Sequence, residues 1–477
     1  MGKRFASLIS IYFIAALYFL YIAPSGIPQQ DIYGYYTVYV SFLVMGFLYI
    51  WLFSSKSLDV FETFNMYSLM HIALYTITPM LFIASGDYDC QGTYVMGGCI
   101  KGSVLAVAGY LIFCLGYFST VRTQNYQDLD EIEVDPSEAL IILRWAVLGW
   151  CVAFGLGLYF MLRDGYSLKY VLSLGSDGVR NDPTQGQAAL FLNDLSYCSV
   201  GFWIYICCLS KNKFLMCITG FLSFALFYIR GFRFIVIIMI IAIVASYYIL
   251  KRKKVSIKMA LISVVLFVLV IGVMGFARGS VRQGIDTEWS SFNIFDEAEY
   301  ALMSNLNIYQ IYYGLMSMPE SHNFLMFSDM LDSLSVWIPR AIWPGKPLAI
   351  DAGYIKAIAD SVSPYAIYHC AMATPDLGRY YMEFGAFGIV IYSMFWGRVC
   401  GKSRKLYQYN SKNIHSVILY CLFMPMLFQM IIRGSNFVSF FKQFIFVLLP
   451  PIIMPVLTRV SVSSRSLLNR SRKDDNG

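Results

Sequence analysis

The side chains in this sequence that are best suited to bind an anion are arginines next to the ends of long apolar stretches. Arginine is permanently charged and presents a planar fork of N–H donors that matches the oxygens of a phosphate. Snorkelling toward lipid headgroups would explain one or two of them, but six stand at four separate junctions, which indicates convergence on an anionic group. With an arginine and a lysine from a long polar segment, the candidates are Arg230, Arg233, Arg278, Arg282, Arg340, Lys346, Arg379 and Arg433.

Residues that could serve as a general base are few. His369, Asp376 and Glu383 lie in the same long polar segment or at its end. A base at this place could accept the proton of an attacking hydroxyl. The sequence does not select one of the three.

Metal ligands are not evident in the sequence. The Asp87-Tyr88-Asp89 match to D-x-D could hold a divalent cation, but two acids at this spacing occur often by chance. No spacing of cysteine and histidine resembles a zinc site. The sequence therefore predicts neither a metal nor another cofactor.

The elements that position these residues must be membrane helices. The chain has 477 residues, of which 58% are hydrophobic and only 14% charged, with a mean hydropathy of +0.59. An average soluble domain carries about 25% charged residues, so a soluble enzyme, a nucleic-acid-binding protein and a disordered scaffold are excluded. A helix needs about 20 apolar residues to cross a bilayer. The predicted spans cover residues 5–24, 34–54, 63–84, 102–121, 139–162, 188–209, 214–229, 234–250, 259–276, 382–400, 414–432 and 437–458.

Basic residues assign an orientation to these twelve predicted spans. Lysines and arginines in short connections fall mainly on the side of the N-terminus, as in the run 251–254. By the positive-inside rule both termini are inside, and most of the net charge of +7 is a signal of orientation. We predict nine spans over 1–276, a large, partly helical outer loop over 277–382, three spans over 383–458 and a basic inner tail over 459–477.

Three segments predict local structure. Asp135 precedes Pro136 and Glu138 at a spacing typical of a helix start, which places the beginning of the fifth span there. In the outer loop, apolar residues recur at nearly helical spacing over 301–317 and 325–338. These two helices could lie along the membrane surface, cover a cavity or form a small packed cap.

Two further expectations concern single side chains. Cys90 and Cys99 share one outer connection, and an oxidising compartment would favour a disulfide between them. Asp194 is the one acid that the pattern places inside a span, where a carboxylate suggests a functional role. A shift of that span boundary by one helix turn would expose it.

Aromatic residues make up 17% of the chain. Tyrosine and tryptophan at membrane interfaces account for part of this content. Those in the outer loop are candidate contacts for sugar rings, or else packing residues: Trp289, Tyr300, Trp337, Trp343, Tyr354, Tyr365 and Tyr368.

One segment of the outer loop resembles a known signature. Residues 337–347 read Trp-Ile-Pro-Arg-Ala-Ile-Trp-Pro-Gly-Lys-Pro. They resemble the IPR.lwP.KP signature of oligosaccharide repeat-unit polymerases, the Wzy proteins that make O-antigen and enterobacterial common antigen. The turn 230–233 resembles a Gly/Arg-rich turn of that family, and 383–388 resembles its GxxG entry into a span. The plan of many spans with one large loop before the last few is also similar.

The resemblance implies a fold, an activity and partners. The fold would be that of a GT-C-like glycosyltransferase in the bacterial inner membrane, with the large loop in the periplasm and both termini in the cytoplasm. The enzyme would polymerise undecaprenyl-pyrophosphate-linked repeat units without a metal. Its partners would be the lipid-linked donor and acceptor, the bilayer and a chain-length regulator, and no nucleic acid. The implied pyrophosphate contacts are first Arg230, Arg233 and Arg340, and then Arg278, Arg282, Arg379 and Arg433.

Two other activities and a purely structural role stay open at this point. An O-antigen ligase has similar topology and chemistry, and would make a loop histidine, His322 or His369, essential. A flippase for lipid-linked oligosaccharides would need polar residues along a central pathway and no large outer loop. A structural membrane protein would tolerate changes at the arginine positions.

Overall fold

The computed structural model of this chain is almost entirely helical. The described residues contain a single sheet, a hairpin whose two strands have two residues each. In it β1 (Asp89–Cys90) pairs antiparallel with β2 (Thr93–Tyr94). Apolar helices satisfy their backbone donors and acceptors internally, as hydrocarbon requires. The predicted all-α class is thereby confirmed. The structure describes residues 2–55, 60–86, 89–90, 93–121, 134–163, 194–229, 233–251, 293, 308–317, 324–326, 343, 374–408, 413–433 and 437–474.

The described residues form thirteen α-helices. They are α1 (Gly2–Leu17), α2 (Ile32–Ser55), α3 (Thr63–Ile72), α4 (Thr78–Ala84), α5 (Cys99–Thr120), α6 (Pro136–Arg163), α7 (Cys198–Leu209), α8 (Lys213–Ile229), α9 (Arg233–Leu250), α10 (Tyr309–Ser317), α11 (Asp376–Gln408), α12 (Ile414–Arg433) and α13 (Phe437–Asp474). Other helical turns adjoin them: π-helical turns at Tyr18–Ile22 and Ala73–Ile77, and 3-10 turns at Ala23–Gly26, Val95–Gly98 and Leu195–Tyr197.

The chain divides into two compact units. The first unit comprises Met1–Asn125, Leu302–Arg404 and Leu427–Phe441. The second comprises Tyr126–Ala301, Lys405–Met426 and Lys442–Gly477.

In the first unit, α3, its π-helical turn and α4 form one continuous rod that runs antiparallel to α5. His71 Nε2 lies 3.1 Å from the carbonyl oxygen of Ala106, and the Tyr117 hydroxyl donates to Glu62 at 2.5 Å. The other face of α5 meets α11, where a Cβ added to Gly397 would lie 2.3 Å from the carbonyl oxygen of Phe113. Small residues of this kind allow membrane helices to pack with their backbones in contact.

Within the second unit, polar contacts between side chains join separate helices to one another. Trp150 on α6 donates its indole N–H to Ser223 on α8 at 2.9 Å. Tyr205 on α7 and His415 on α12 form a buried hydrogen bond of 2.7 Å. Such bonds between helices give specific packing where apolar surface alone would not select a partner.

Eleven of the twelve predicted spans coincide with helical segments, and the remaining stretch, 259–276, lies outside the described residues. Four apolar helical segments in the described residues are shorter than a typical span: Leu8–Tyr21, Leu195–Leu209, Lys213–Phe227 and Phe234–Leu250. Seven helices in the described part of the chain are long and apolar enough to cross a membrane: Ile32–Ser54, Thr63–Ala84, Val95–Thr120, Pro136–Leu162, Asp376–Leu406, Ile414–Ile432 and Gln443–Ser461.

The predicted start of the fifth span is confirmed. α6 begins at Pro136, and the Asp135 carboxylate accepts the backbone N–H of Ser137 at 3.2 Å and that of Glu138 at 3.3 Å. The Ser137 hydroxyl also donates to it. These donors hold the pKa of Asp135 below its usual value, the Ser137 hydroxyl contributing most.

The expected disulfide at Cys99 is wrong. Cys99 is a buried free thiol, because the 3-10 turn before α5 directs it inward, with its Sγ 3.7 Å from the carbonyl oxygen of Val95. Asp194 is partly exposed where the described helical segment begins, and since residues 188–193 of the predicted span lie outside the described residues, its place inside a span stays a prediction.

The predicted loop helices are confirmed in part. α10 covers Tyr309–Ser317, while residues 301–307 of that predicted helix lie outside the described residues. Leu325 and Met326 are not helical, so the helix predicted over 325–338 does not begin there. Their backbone N–H groups are used in a contact with α11 described below.

We predict that Arg404→Ala destabilises the protein. Arg404 Nε lies 2.9 Å from Glu62 Oε1, and the Glu62 side chain is fully buried. Removing the cationic partner of a buried carboxylate costs about 3 kcal/mol or more. The unfolding temperature of detergent-solubilised protein, measured by size-exclusion chromatography after heating, should fall clearly below that of the wild type.

Lys402→Ala is the matched control, because Lys402 is exposed on the same helix. Its unfolding temperature should equal that of the wild type. Equal temperatures for Arg404→Ala and Lys402→Ala would contradict the prediction.

Candidate functional site

The structure describes the side chains of three candidate residues, and all three lie in α11. Asp376, Arg379 and Glu383 are buried in the first unit. Arg233 is the first residue of α9 and Arg433 is the last of α12, and their side chains are outside what the structure describes. The other candidates lie outside the described residues: Arg230, Arg278, Arg282, Arg340, Lys346 and His369.

α11 is broken near its start. Phe384 (φ −144°, ψ 23°) and Gly385 (φ 63°, ψ −146°) are not helical and separate a short helix, residues 376–383, from a long one, residues 386–408. The rings of Tyr380 and Tyr392 are stacked with centroids 4.7 Å apart. In a straight helix these two residues would be separated by about 18 Å. The short helix therefore folds back against the long helix, which alone would extend about 34 Å.

The backbone at this break has its own hydrogen-bond partners. Leu325 donates its N–H to the carbonyl oxygen of Met382 at 2.9 Å, and Met326 donates to that of Glu383 at 3.1 Å. The Phe324 ring covers Gly385, where an added Cβ would lie 2.8 Å from its Cζ. Residues 324–326 thus supply the donors that the next helical turn would otherwise provide.

Asp376 is held by two tyrosines from the rod formed by α3 and α4. Tyr75 donates its hydroxyl to Oδ1 at 2.5 Å, and Tyr67 donates to Oδ2 at 3.4 Å. The Tyr75 hydroxyl also accepts the N–H of Leu377 at 3.0 Å. Tyr67 and Tyr75 lie on either side of the middle of the apolar stretch Thr63–Ala84. The Asp376 carboxylate, which both bind, therefore lies near the mid-depth of that stretch.

The short helix α10 supports this group. Tyr313 donates its hydroxyl to the carbonyl oxygen of Tyr75 at 3.0 Å, and Tyr312 donates to that of Gly102 at 2.8 Å. The ring of Tyr312 also packs edge-on against that of Tyr75, at 4.9 Å. Burial raises the pKa of Tyr312 and Tyr313 well above the usual value, so both remain neutral hydrogen-bond donors.

Arg379 and Glu383 lie one helix turn apart on the short helix. Both side chains are fully buried, and Glu383 and Tyr392 are close enough to interact electrostatically with the guanidinium. Ionisable groups at membrane depth are expensive, and they are retained mainly where function requires them. The short helix therefore carries a cation and two carboxylates within two turns, in surroundings from which water is excluded.

A profile of a known protein family matches nearly the whole chain. The family is described as O-antigen polysaccharide polymerase Wzy, and the match covers residues 5–463. The chain belongs to the Wzy family of O-antigen polymerases. Neither a search of curated proteins nor a search of solved structures returned a match. Wzy proteins are polymerising glycosyltransferases, so this chain serves in O-antigen polymerisation. Its long apolar helices make it a multi-pass membrane protein.

The structure brings together part of what the sequence predicts for this Wzy protein and adds residues that it missed. Arg379 and Glu383 interact electrostatically, whereas Asp376, on the same short helix, is bound by Tyr67 and Tyr75. Tyr67 and Tyr75 were not predicted, because tyrosine in an apolar stretch usually indicates an interface position. Among the described residues, no group of three or more His, Cys, Asp or Glu side chains could hold a metal ion.

We predict that Gly385→Ala weakens the helix break of this Wzy protein. An L-residue at φ 63° and ψ −146°, a region that glycine almost alone adopts, costs roughly 1–3 kcal/mol, and the added Cβ would also collide with the Phe324 ring. The unfolding temperature in detergent and the amount of polymer made in cells should both fall.

Gly155→Ala serves as the control, because an added Cβ at Gly155 in α6 meets nothing within 4 Å. That variant should behave as the wild type or slightly better, since alanine favours helix. A Gly385→Ala protein as stable and active as the control would show that the break does not depend on the glycine.

Proposed function

We propose that this Wzy protein joins undecaprenyl-pyrophosphate-linked oligosaccharide repeat units at the periplasmic face of the bacterial inner membrane. The main support is the position of Asp376, Arg379 and Glu383 on a short helix buried among tyrosines, in a chain of this family. A guanidinium and a carboxylate one turn apart supply the two charges that glycosyl transfer from a pyrophosphate requires. Exclusion of water strengthens their electrostatic effect.

In the proposed reaction, a hydroxyl at the non-reducing end of one lipid-linked repeat attacks the reducing-end sugar of the growing chain. A new carbon–oxygen bond forms at the anomeric carbon, while the bond to pyrophosphate breaks and its electron pair leaves with undecaprenyl pyrophosphate. The proton of the hydroxyl passes to a carboxylate. Asp376 is our first candidate for this base because Tyr67 and Tyr75 fix its orientation, and Glu383 and His369 are the alternatives.

Arg379 is proposed to neutralise the leaving pyrophosphate. Arg379 lies one helix turn after Asp376 in the sequence, and its guanidinium interacts electrostatically with Glu383. The pyrophosphate contacts proposed in addition are Arg230, Arg233, Arg278, Arg282, Arg340, Lys346 and Arg433. With charge supplied by these side chains, we propose that the transfer needs no metal ion.

The membrane arrangement is proposed from the distribution of charge. Basic residues of the short connections support cytoplasmic termini by the positive-inside rule. The part of the segment 277–382 that precedes α11 would then be periplasmic, on the side where lipid-linked repeats are joined, and the fold would be of the GT-C-like type. A chain-length regulator would meet the protein on this side.

Electrophoresis of the surface glycan of a deletion strain distinguishes this proposal from its rivals. Lipid A core carrying a single repeat unit indicates a polymerase. Core without any unit, together with free lipid-linked polymer, indicates a ligase. Accumulation of lipid-linked repeats on the cytoplasmic side indicates a flippase.

We predict that Arg379→Ala abolishes the glycan ladder and leaves a single repeat unit on the core, with the protein still in the membrane. The reason is the loss of the charge that stabilises the leaving group, which typically costs 10²-fold or more in rate. Arg233→Ala and Arg340→Ala should give the same pattern. The measurement is silver-stained electrophoresis of lipopolysaccharide beside an immunoblot of the membrane fraction.

Arg398→Ala is the matched control, since Arg398 is an exposed arginine on the long part of α11. It should give a normal ladder. Normal ladders from Arg379→Ala, Arg233→Ala and Arg340→Ala alike would refute the proposed role of the arginines.

We predict that Asp376→Asn and Tyr75→Phe differ in severity. Asparagine keeps the shape of the side chain but is no base, so turnover of purified protein with lipid-linked repeats should fall by about 10² or more. Phenylalanine removes the 2.5 Å hydrogen bond to Asp376 and the acceptor of the Leu377 N–H, and a smaller loss of about tenfold is expected because the carboxylate remains. Equal losses in both variants would indicate that Asp376 acts in folding and not as the base.

A further inference from the structure

Three side chains from separate parts of the chain meet beside the helix break and remain accessible. Lys101 Nζ lies 5.1 Å from the centroid of the Tyr381 ring. Phe324 packs edge-on against the same ring, with centroids 6.0 Å apart and an interplanar angle of 88°. Lys101 and Tyr381 are partly exposed, and Phe324 is 37% exposed. We call these three residues the Tyr381 cluster.

The Tyr381 cluster is fixed by the same contacts that hold the helix break. The hydrogen bonds from Leu325 and Met326 to the carbonyl groups of Met382 and Glu383 anchor the segment that carries Phe324. The ring of Phe324 is further confined by its contact with Gly385. Lys101 extends from the first turn of α5, a rigid helix. An accessible surface with rings held in fixed orientations loses little entropy when it binds a ligand.

The cluster lies on the opposite side of the short helix from the proposed reaction centre. Successive residues of a helix turn by about 100°, so Tyr381 points about 200° away from Arg379. The distance across a helix with its side chains is about 10 Å. A ligand on Tyr381 would therefore lie near the buried charges without contacting them.

We propose that the Tyr381 cluster is a subsite for a sugar ring of the bound glycan, one that lies away from the bond being formed. A pyranose has an apolar C–H face, which matches the electron-rich face of a tyrosine ring, and a polar edge, which matches the N–H donors of a lysine. Lys101 also suits an acidic sugar. This inference rests on the proposed function and adds a contact that holds the chain between successive additions.

The test separates aromatic contact from packing by changing Tyr381 in two ways. Tyr381→Phe keeps the ring, whereas Tyr381→Leu keeps apolar bulk and loses the ring face. Tyr33→Leu is the control, because Tyr33 is 76% exposed and lies next to Gly34, which approaches Cys99 at the same end of the first unit. Each full-length protein is purified in detergent, and saturation-transfer NMR measures its binding of the glycan released by mild acid from the parent strain.

We expect Tyr381→Leu to weaken glycan binding by roughly fivefold to tenfold, the effect of one aromatic contact. Tyr381→Phe and Tyr33→Leu should bind as the wild type does. In a complemented deletion strain, Tyr381→Leu should shift the ladder toward shorter chains without abolishing it.

Two results would overturn the proposal: unchanged binding and an unchanged ladder in Tyr381→Leu, or equal losses in Tyr381→Leu and Tyr381→Phe. Failure of the proposed function is seen separately, because the wild-type gene would then fail to restore a ladder to the deletion strain. Arg379→Ala could abolish the ladder while Tyr381→Leu leaves it intact. That result would support the proposed function and refute the sugar subsite.

Discussion

A carboxylate that packs beside the middle of an apolar helix must accept hydrogen bonds from the protein itself, because water does not solvate it there. The arrangement around Asp376 follows from this constraint. Tyr75 and Tyr67 donate to its two oxygens, and α10 packs behind them with Tyr313 bound to the backbone of Tyr75. One side chain thus ties the short helix that begins at Asp376 to α3 and to the π-helical turn after it, and α10 supports that turn. Loss of that carboxylate would leave the tyrosine hydroxyls to find new acceptors in the same dry surroundings.

The backbone of α11 meets the same requirement by a different route. A break in a helix exposes carbonyl groups that the next turn would have used. Residues 324–326 supply the missing donors, so a segment distant in sequence completes the helix in space. The fold-back brings Tyr380 onto Tyr392 and places Arg379 and Glu383 inside the unit. The charged side chains therefore lie in the apolar interior on a helix that is too short to cross the membrane, while the longer part of α11 is long enough to do so.

The sequence allows much of the fold to be predicted because long apolar stretches admit few structures in a membrane. The helices and the start of α6 at Pro136 follow from hydropathy and capping chemistry. The start of α11 does not, since a hydropathy average treats Asp376 and Arg379 as loop residues. It cannot register that tyrosines on another helix will bury them. The environment of Cys99 was likewise hidden, because it depends on how the turn before α5 is directed.

The candidate site was predictable by residue type and not by geometry. Asp376, Arg379 and Glu383 stood out as ionisable groups next to an apolar stretch. The motif that follows Glu383 contains two glycines, which permit a break without requiring one. Tyr67 and Tyr75 were not predicted, because tyrosine in an apolar stretch usually indicates an interface position. In a regular helix their spacing of eight residues would leave them pointing about 80° apart.

The π-helical turn Ala73–Ile77 explains how those two tyrosines reach one carboxylate. Its i→i+5 hydrogen bonds widen the helix, so each residue turns through a smaller angle than in an α-helix, and Tyr75 rotates toward the face that carries Tyr67. The turn thus acts as a phase adjustment between the two halves of a single rod. A homologue that lacked one residue here would keep its hydrophobic length and its membrane insertion. Without that residue the two phenols would stand seven positions apart in a regular α-helix, only about 20° from one another, so the turn restores the alignment that one extra residue would otherwise disturb.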